Sequence, residues 1–157
     1  MDGHGDLPVA IRFYKDQDKN DVKRFKCAWR RWEKEAQSII RDAPSVQVTD
    51  DIEILVAKSG DGEIVGVAVF RVFPDHSCEI YSLGVLIKYR NQHVGTRLKK
   101  AVMVEAESRF TGCRITSTVH RRNDRMNKIN ANLQAVVEPI PGDAEYLLTL
   151  VEARLIK

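Results

Sequence analysis

Apolar and polar positions along the chain follow two different periods, which predict strands and helices in turn. Residues 9–14 alternate between apolar and polar side chains, as a strand with one buried face does. Residues 20–41 place apolar side chains at spacings of three and four, which predicts an amphipathic helix. Asn20 is a suitable N-cap for this helix, and Pro44 follows its expected end.

Three short apolar runs follow, at 53–58, 63–73 and 78–86, and turn residues between them predict an antiparallel meander. The remaining runs predict helix 95–110, strand 113–119, helix 123–133, strand 135–140 and strand 145–155. From 78–86 onward strands and helices alternate, which predicts parallel neighbours joined by crossover helices. The expected fold class is therefore α/β (α+β), with a mixed, mostly antiparallel sheet of about seven strands flanked by helices.

Composition adds that the chain is an ordinary globular protein, expected as one domain over residues 1–157. Hydrophobic residues make up 43% of its 157 residues and charged residues 30%. No apolar run approaches the roughly 20 residues that span a bilayer, and the acidic first residues do not resemble a signal peptide. The three scattered cysteines suggest a reducing compartment, so a cytoplasmic location is expected.

The basic residues are concentrated in one part of the chain. Residues 86–128 hold eleven Lys and Arg but only three Asp and Glu, whereas residues 43–85 are net acidic. A basic block attracts a polyanion, either the phosphates of a cofactor or a nucleic acid. Its only aromatic residues are Tyr89 and Phe110, too few for the stacking that nucleic-acid grooves use. A phosphate-bearing cofactor is the better expectation.

A possible phosphate site lies where the third strand of the meander meets the next helix. The strand ends near Leu86, a polar turn follows, and a helix begins near Gly95. Unpaired amides at a helix N-terminus bind anions, and glycine allows close backbone approach. Four side chains add positive charge: Arg90, Arg97, Lys99 and Lys100. Neither a Walker loop nor a dinucleotide fingerprint is present, so the residues alone leave an ordinary surface helix start equally open.

This segment resembles the acetyl-coenzyme-A signature of the GCN5-related N-acetyltransferase (GNAT) superfamily, R/Q-x-x-G-x-G/A after a strand ending in Val. Here the strand ends with Val85, and the signature is Arg90-Asn91-Gln92-His93-Val94-Gly95, with His93 in place of the first glycine. Downstream, Val119 to Met126 resembles the superfamily's V-x-x-x-N-x-x-A/M, with Asn123 as its asparagine. The order of the predicted elements also resembles this superfamily over nearly the whole chain.

The resemblance implies an acyl-CoA N-acyltransferase-like fold with acetyl-coenzyme A as co-substrate. Backbone amides from Gln92 to Thr96 and the charge of Arg90 and Arg97 would hold the pyrophosphate. The pantetheine arm would pair with the backbone of Leu83 to Val85, and an amide of Leu83 or Gly84 would face the thioester carbonyl. The implied cofactor-binding residues are Leu83, Gly84, Val85, Arg90, Asn91, Gln92, His93, Val94, Gly95, Thr96, Asn123 and Asn130. For Asn123 a plain N-cap role stands beside the cofactor role.

Acetyl transfer to an amine requires removal of a proton from that amine. Histone-type members of the superfamily place a glutamate base where Glu79 stands, six residues before Val85. Alternation along the strand puts Glu79, Tyr81 and Leu83 on one face, opposite Ile80. A solvent-facing glutamate, or one paired with a neighbouring arginine, is the alternative.

The group that protonates the leaving thiolate is less evident. Many members of the superfamily have a tyrosine seven residues after the motif asparagine, and Asn130 stands there instead. An amide cannot supply a net proton, so Tyr81, Tyr89 and Tyr146 are the possible substitutes, or the thiolate leaves unprotonated. A non-catalytic acyl-coenzyme-A-binding module is therefore the alternative function.

The expected partner is an amine-bearing acceptor, either a small molecule or a protein, which the sequence does not identify. The acidic segment 43–85 favours a cationic amine. Neither a nucleic acid nor a membrane is expected as partner, and a homodimer remains open. The four histidines are scattered without metal-ligand spacing, so no metal is expected.

Overall fold

Seven strands form one sheet in the computed structural model, which describes residues 7–22, 25 and 52–152. The strands are β1 (Val9–Phe13), β2 (Ile52–Ser59), β3 (Ile64–Val72), β4 (Ser77–Val85), β5 (Arg114–His120), β6 (Val136–Ile140) and β7 (Asp143–Glu152). The α-helices are α1 (Lys19–Val22), α2 (Val94–Arg109) and α3 (Asp124–Asn132), and 3-10 turns lie at Asp16–Asp18 and Ile87–Tyr89. The predicted mostly antiparallel, seven-stranded class is confirmed. Most of the predicted helix 20–41 lies outside the described residues.

The strand order is β1-β2-β3-β4-β5-β7-β6, and among these strands of the described residues only β4 and β5 are parallel neighbours. The prediction of successive parallel neighbours is therefore right for β4 and β5 but wrong for the last strands. The turn at Pro141-Gly142, with Gly142 at a φ of 79°, folds β7 back on β6 as a hairpin. As a result β7, not β6, lies beside β5, and it runs antiparallel to it.

Helices cover both faces of the sheet. One face packs against α2 and α3 through side chains such as Leu98, Met103 and Leu133, and we call it the α2 face. The other face packs against Val22 of α1 and against Phe25, and we call it the α1 face. None of the helices in the described ranges is long and apolar enough to span a membrane.

One extra residue in β4 separates this strand from β5. Val69 of β3 pairs with Ser82 and Phe70 pairs with Ile80, so Tyr81 forms a β-bulge. The parallel pairing of β4 with β5 ends one residue earlier, at Ile80 and Ser117. Beyond it, residues 82–85 of β4 pair with β3 and residues 118–120 of β5 pair with β7, but the two strands no longer pair with each other. The two half-strands thus border an open gap in the sheet.

A glycine in β3 lets α2 lie directly on the sheet. A Cβ atom built on Gly66 would be 2.7 Å from Leu98 Cδ1, 3.2 Å from Val94 Cγ1 and 3.3 Å from the Gly84 carbonyl oxygen. The side chains of Val94 and Leu98 in the first turns of α2 therefore occupy the space that a side chain at position 66 would need.

We expect Gly66→Ala to lower the free energy of unfolding by about 1–3 kcal/mol, because the added methyl group overpacks this contact. Gly60→Ala is the matched control, since Gly60 has nothing within 4 Å of the added atom. That change should be neutral or slightly stabilising. Urea unfolding of both variants checks this, and equal effects would show that the contact is not tight.

Candidate active site

The gap beside β4 exposes strand backbone on one side. Leu83, Gly84 and Val85 pair with β3 on their other side, and β5 no longer faces them as a hydrogen-bonded neighbour. In such a strand alternate backbone groups point away from the paired neighbour. An extended ligand arm could therefore hydrogen-bond here as an added strand. Gly84 is buried, whereas Leu83 and Val85 are half-buried on the α2 face.

The N-terminus of α2 lies beside this open half of β4. A Cβ atom on Gly95 would be 3.5 Å from Leu83 Cδ2 and 3.7 Å from Val85 Cγ2. The first hydrogen bond of the helix runs from the Arg97 amide to the His93 carbonyl. The amides of residues 94–96 therefore have no acceptor within the helix. The His93 side chain does not cap them. Such a helix end suits a phosphate group.

Two residues of the preceding loop have left-handed backbone conformations. Asn91 has a φ of 64° and His93 a φ of 63°. Asparagine tolerates this region, but a histidine pays roughly 1–2 kcal/mol for it. His93 therefore has a backbone conformation that a glycine would adopt without this cost.

Two arginines fasten the loop and the helix start. Arg90 donates through Nε to the Val85 carbonyl at 2.9 Å, which closes the turn back onto the end of β4. Arg97 donates to the carbonyl oxygens of Leu7 at 3.0 Å and Val9 at 3.1 Å. The expectation that Arg97 directs its charge at the phosphates thus differs from the structure. Because β1 is an edge strand, its outer carbonyls lack a strand partner, and Arg97 supplies one.

Glu79 lies on the α1 face of β4. Its neighbour Ile80 is buried on the α2 face, so Glu79 points the other way, half-buried and directly across from Arg71. Tyr81 also packs on the α1 face, but Leu83 packs on the α2 face. The prediction that Leu83 shares a face with Glu79 is therefore wrong, because the bulge shifts the alternation by one residue.

Asn123 of the second motif is the N-cap of α3. Its Oδ1 accepts a hydrogen bond from the Met126 amide at 3.2 Å. The N-cap role is thus present, and it commits the side-chain oxygen to the helix. Only the Nδ2 group could donate to a cofactor.

A buried polar pair joins α2 to α3. Lys99 and Asn130 are each 1% exposed, and Lys99 Nζ donates to Asn130 Oδ1. Burial lowers the pKa of Lys99 to about 8, because the low-dielectric interior disfavours the ammonium. Asn130 Nδ2 is buried without a hydrogen-bond partner among the described residues.

Sequence reasoning counted Lys99 with the surface charges and missed this burial. The signal that could have found it is helical spacing, since Lys99 stands four residues after Gly95 and next to the apolar stripe of Leu98 and Val102. Its neighbour Lys100 is exposed.

Two of the three tyrosines weighed as proton donors are engaged elsewhere. The Tyr89 hydroxyl donates to the Glu63 carboxylate, and this hydrogen bond raises the pKa of Tyr89. The Tyr146 ring packs edge-on against His120, with ring centroids 5.1 Å apart. Tyr81 packs on the α1 face with Glu79. Tyr89 is a poor proton donor, because its proton is already shared with a carboxylate.

Comparison with known proteins identifies the family. The sequence model of the acetyltransferase (GNAT) family matches residues 21–129. The chain belongs to this family. Members of the GNAT family are acetyltransferases, so acyl transfer is the general chemistry to which this site corresponds. No curated protein matches the chain in sequence.

Solved structures with the same fold are distant in sequence. The PaiA N-acetyltransferase of Thermoplasma acidophilum, solved in complex with coenzyme A, has a TM-score of 0.72 at 17% identity, covering 93% of this chain and 99% of that one. The ribosomal-protein-S5-alanine acetyltransferase of Vibrio fischeri has a TM-score of 0.68 at 15% identity, covering 92% and 93%. The ribosomal-protein-S18-alanine N-acetyltransferase of Escherichia coli has a TM-score of 0.71 at 13% identity, covering 93% and 94%. These similarities establish the GNAT fold.

We expect His93→Gly to have a free energy of unfolding about 1 kcal/mol higher than that of His93→Ala. Glycine adopts the left-handed backbone without steric cost, and the greater conformational entropy of its unfolded chain offsets only part of this advantage. Both variants remove the imidazole, so the difference between them reports only the free-energy cost of the left-handed backbone at this position. The same pair at exposed Lys100, inside α2, should favour alanine by about 1 kcal/mol. Chemical unfolding measures both differences, and alanine favoured at position 93 would contradict the assigned conformation.

The buried Lys99 predicts a pH-dependent stability. Its pKa is about 8 when folded and 10.5 ordinarily, so the unfolded chain binds more protons between these pH values. Wild-type stability should therefore rise relative to Lys99→Met by roughly 3 kcal/mol from pH 8 to 10.5, with the full cost of burying the charge present below pH 8. Lys100→Met is the control and should show no such change. If the difference in free energy of unfolding between the wild type and Lys99→Met stayed constant across this pH range, the burial of the ammonium would be contradicted.

Proposed function

We propose that the protein is an acetyl-CoA-dependent N-acetyltransferase that moves the acyl group directly from the thioester to a primary amine. The observation that carries the proposal is the meeting of two features. The parallel pairing of β4 with β5 ends at Ile80 and Ser117. The N-terminus of α2, which the His93 side chain does not cap, lies beside residues 83–85 of β4, where β5 no longer pairs with this strand. An extended arm that ends in phosphates fits both.

The residues of this region suit coenzyme A. The amides of residues 94–96 would bind the pyrophosphate, and Asn91, Gln92 and His93 shape the turn before them. Gly95 has no room for a side chain, since a Cβ atom would lie 2.9 Å from Ile129 Cδ1. The backbone of residues 83–85 would pair with the pantetheine arm, and Asn123 Nδ2 would donate to one of its amide carbonyls.

Acetyl-coenzyme A, when bound, supplies an activated thioester carbonyl. Glu79 would take the proton of the amine, directly or through water, because it lies on β4 next to the closed end of the gap. A backbone amide of Leu83 or Gly84 would stabilise the oxyanion. The acceptor would approach from the α1 face, on which Glu79 lies.

The acceptor itself is proposed only as an amine-bearing small molecule or protein. The net negative charge of residues 43–85 supports a cationic amine. The alternative, a module that binds acyl-coenzyme A without catalysis, is favoured by Asn130 in place of the family's tyrosine.

Calorimetric titration with acetyl-coenzyme A, followed by a thiol-release screen over small amines, peptide N-termini and lysine peptides, tests the proposal. We expect binding and release with at least one amine. Glu79→Gln should lower kcat by about 100-fold or more, the usual contribution of a general base, with binding of acetyl-coenzyme A retained.

Glu138→Gln is the matched control, because Glu138 is exposed on the edge strand β6. It should leave the rate unchanged. Binding without release for every amine would support the non-catalytic module, and no binding at millimolar cofactor would refute both functions.

A further inference from the structure

Lys99 is a buried cation that pairs with no carboxylate among the described residues. Its Nζ group donates to the Asn130 amide oxygen, and its pKa is lowered by burial alone, with no carboxylate acting on it. Burying an ammonium against a neutral amide costs stability. Asn130 adds a second unmet group, its buried Nδ2 donor. Among the described residues, the ammonium of Lys99 therefore has one neutral acceptor, and the Asn130 Nδ2 donor beside it has none.

Helix and strand geometry, taken from the contacts of Gly95, places the pair near the closed end of the gap. Gly95 of α2 sits on Leu83 and Val85, and Lys99 is one turn, about 6 Å, further along the same flank of the helix. Because β4 and β5 are parallel, the crossover helix α2 runs back along β4. A step of about 6 Å corresponds to roughly two residues of β4 and ends near the bulge at Tyr81. Asn130 adjoins Ile129, which itself contacts the Gly95 position.

We propose that Lys99 protonates the sulfur of the leaving coenzyme, and that Asn130 is a positioning residue that holds the ammonium over the closed end of the gap. This inference rests on the proposed acetyl transfer. Lys99 would thus take the role that a tyrosine on α3 has in many members of the family, but from α2.

The step balances without a further reactant. The amine nitrogen forms its bond to the acyl carbon while Glu79 takes the amine proton, and the carbon–sulfur bond then breaks with its electron pair on sulfur. Lys99 gives one proton to that sulfur and becomes a neutral amine. Before the next turnover Glu79 releases its proton to solvent and Lys99 takes one up from solvent. The products are the amide and the free thiol.

The other titratable groups around Lys99 do not compete for this role. Glu79 is on the α1 face, and Asp124, Arg125 and Lys128 of α3 are exposed. Burial raises the pKa of Cys78 to about 12 and also raises that of Cys113. An ordinary thiol has a pKa near about 8.5, so proton transfer from Lys99 to the coenzyme sulfur is nearly isoenergetic.

The test is the ionisation of coenzyme A bound to the protein, followed by thiolate absorbance in the ultraviolet. An ammonium beside the sulfur favours the thiolate, so we expect the bound thiol in the wild type to ionise at least tenfold more readily than free coenzyme A, a shift of about one pH unit. Lys99→Met should abolish the shift while still binding the coenzyme. Lys100→Met, its exposed neighbour, should retain it, and desulfo-coenzyme A supplies the baseline.

Bound coenzyme that ionises as it does in solution would overturn the role of Lys99 and leave the proposed acetyl transfer standing. Absence of coenzyme binding by the wild type would overturn both. The wild-type complex is compared with free coenzyme A, so the test remains decisive even if Lys99→Met does not fold. With the amine found in the screen, Lys99→Met should also lower kcat by about 100-fold or more with little change in the KM for acetyl-coenzyme A.

Discussion

The candidate site depends on the β-bulge at Tyr81, where β4 has one more residue than the paired strand β3. A bulge bends its strand and increases the local twist, and here the parallel pairing with β5 ends at the residue before it. The bulge also exchanges the two faces of β4, so that Glu79 faces α1 while Leu83 supports the start of α2. Without the bulge, a continuous β4–β5 ladder would occupy the backbone groups that border the gap.

Several locally unfavourable features lie around this gap. His93 has a left-handed backbone, the first amides of α2 are uncapped, and Lys99 is a buried ammonium. Each costs stability on the order of 1–3 kcal/mol. Two apolar clusters on opposite faces of the sheet provide the stability that tolerates them. Such exceptions to local rules are expected at functional sites rather than scattered through a fold.

The strands and helices of residues 52–152 could be predicted from apolar periodicity to within one to three residues, because their buried faces are strongly patterned. The place of β7 between β5 and β6 could not, since periodicity does not encode strand order. The bulge at Tyr81 could not be predicted either, because the sequence of β4 has the pattern of a regular strand. Arg97 was misjudged because a cation near an expected phosphate site has other acceptors, here the free carbonyls of an edge strand.

A gap in a sheet can be reached by side chains from both faces of the sheet. Glu79 lies on the α1 face and Lys99 on the α2 face, so the group proposed to remove a proton and the group proposed to supply one are separated by the strand layer. This separation prevents the two from neutralising each other as an ion pair, which would fix Lys99 in its charged form and deprive Glu79 of its basicity. The presence of Asn130 in place of a tyrosine is therefore explained by its hydrogen bond to Lys99. The amide is too short and too weak an acid to replace a tyrosine, but it orients a cation that reaches the same region from the neighbouring helix.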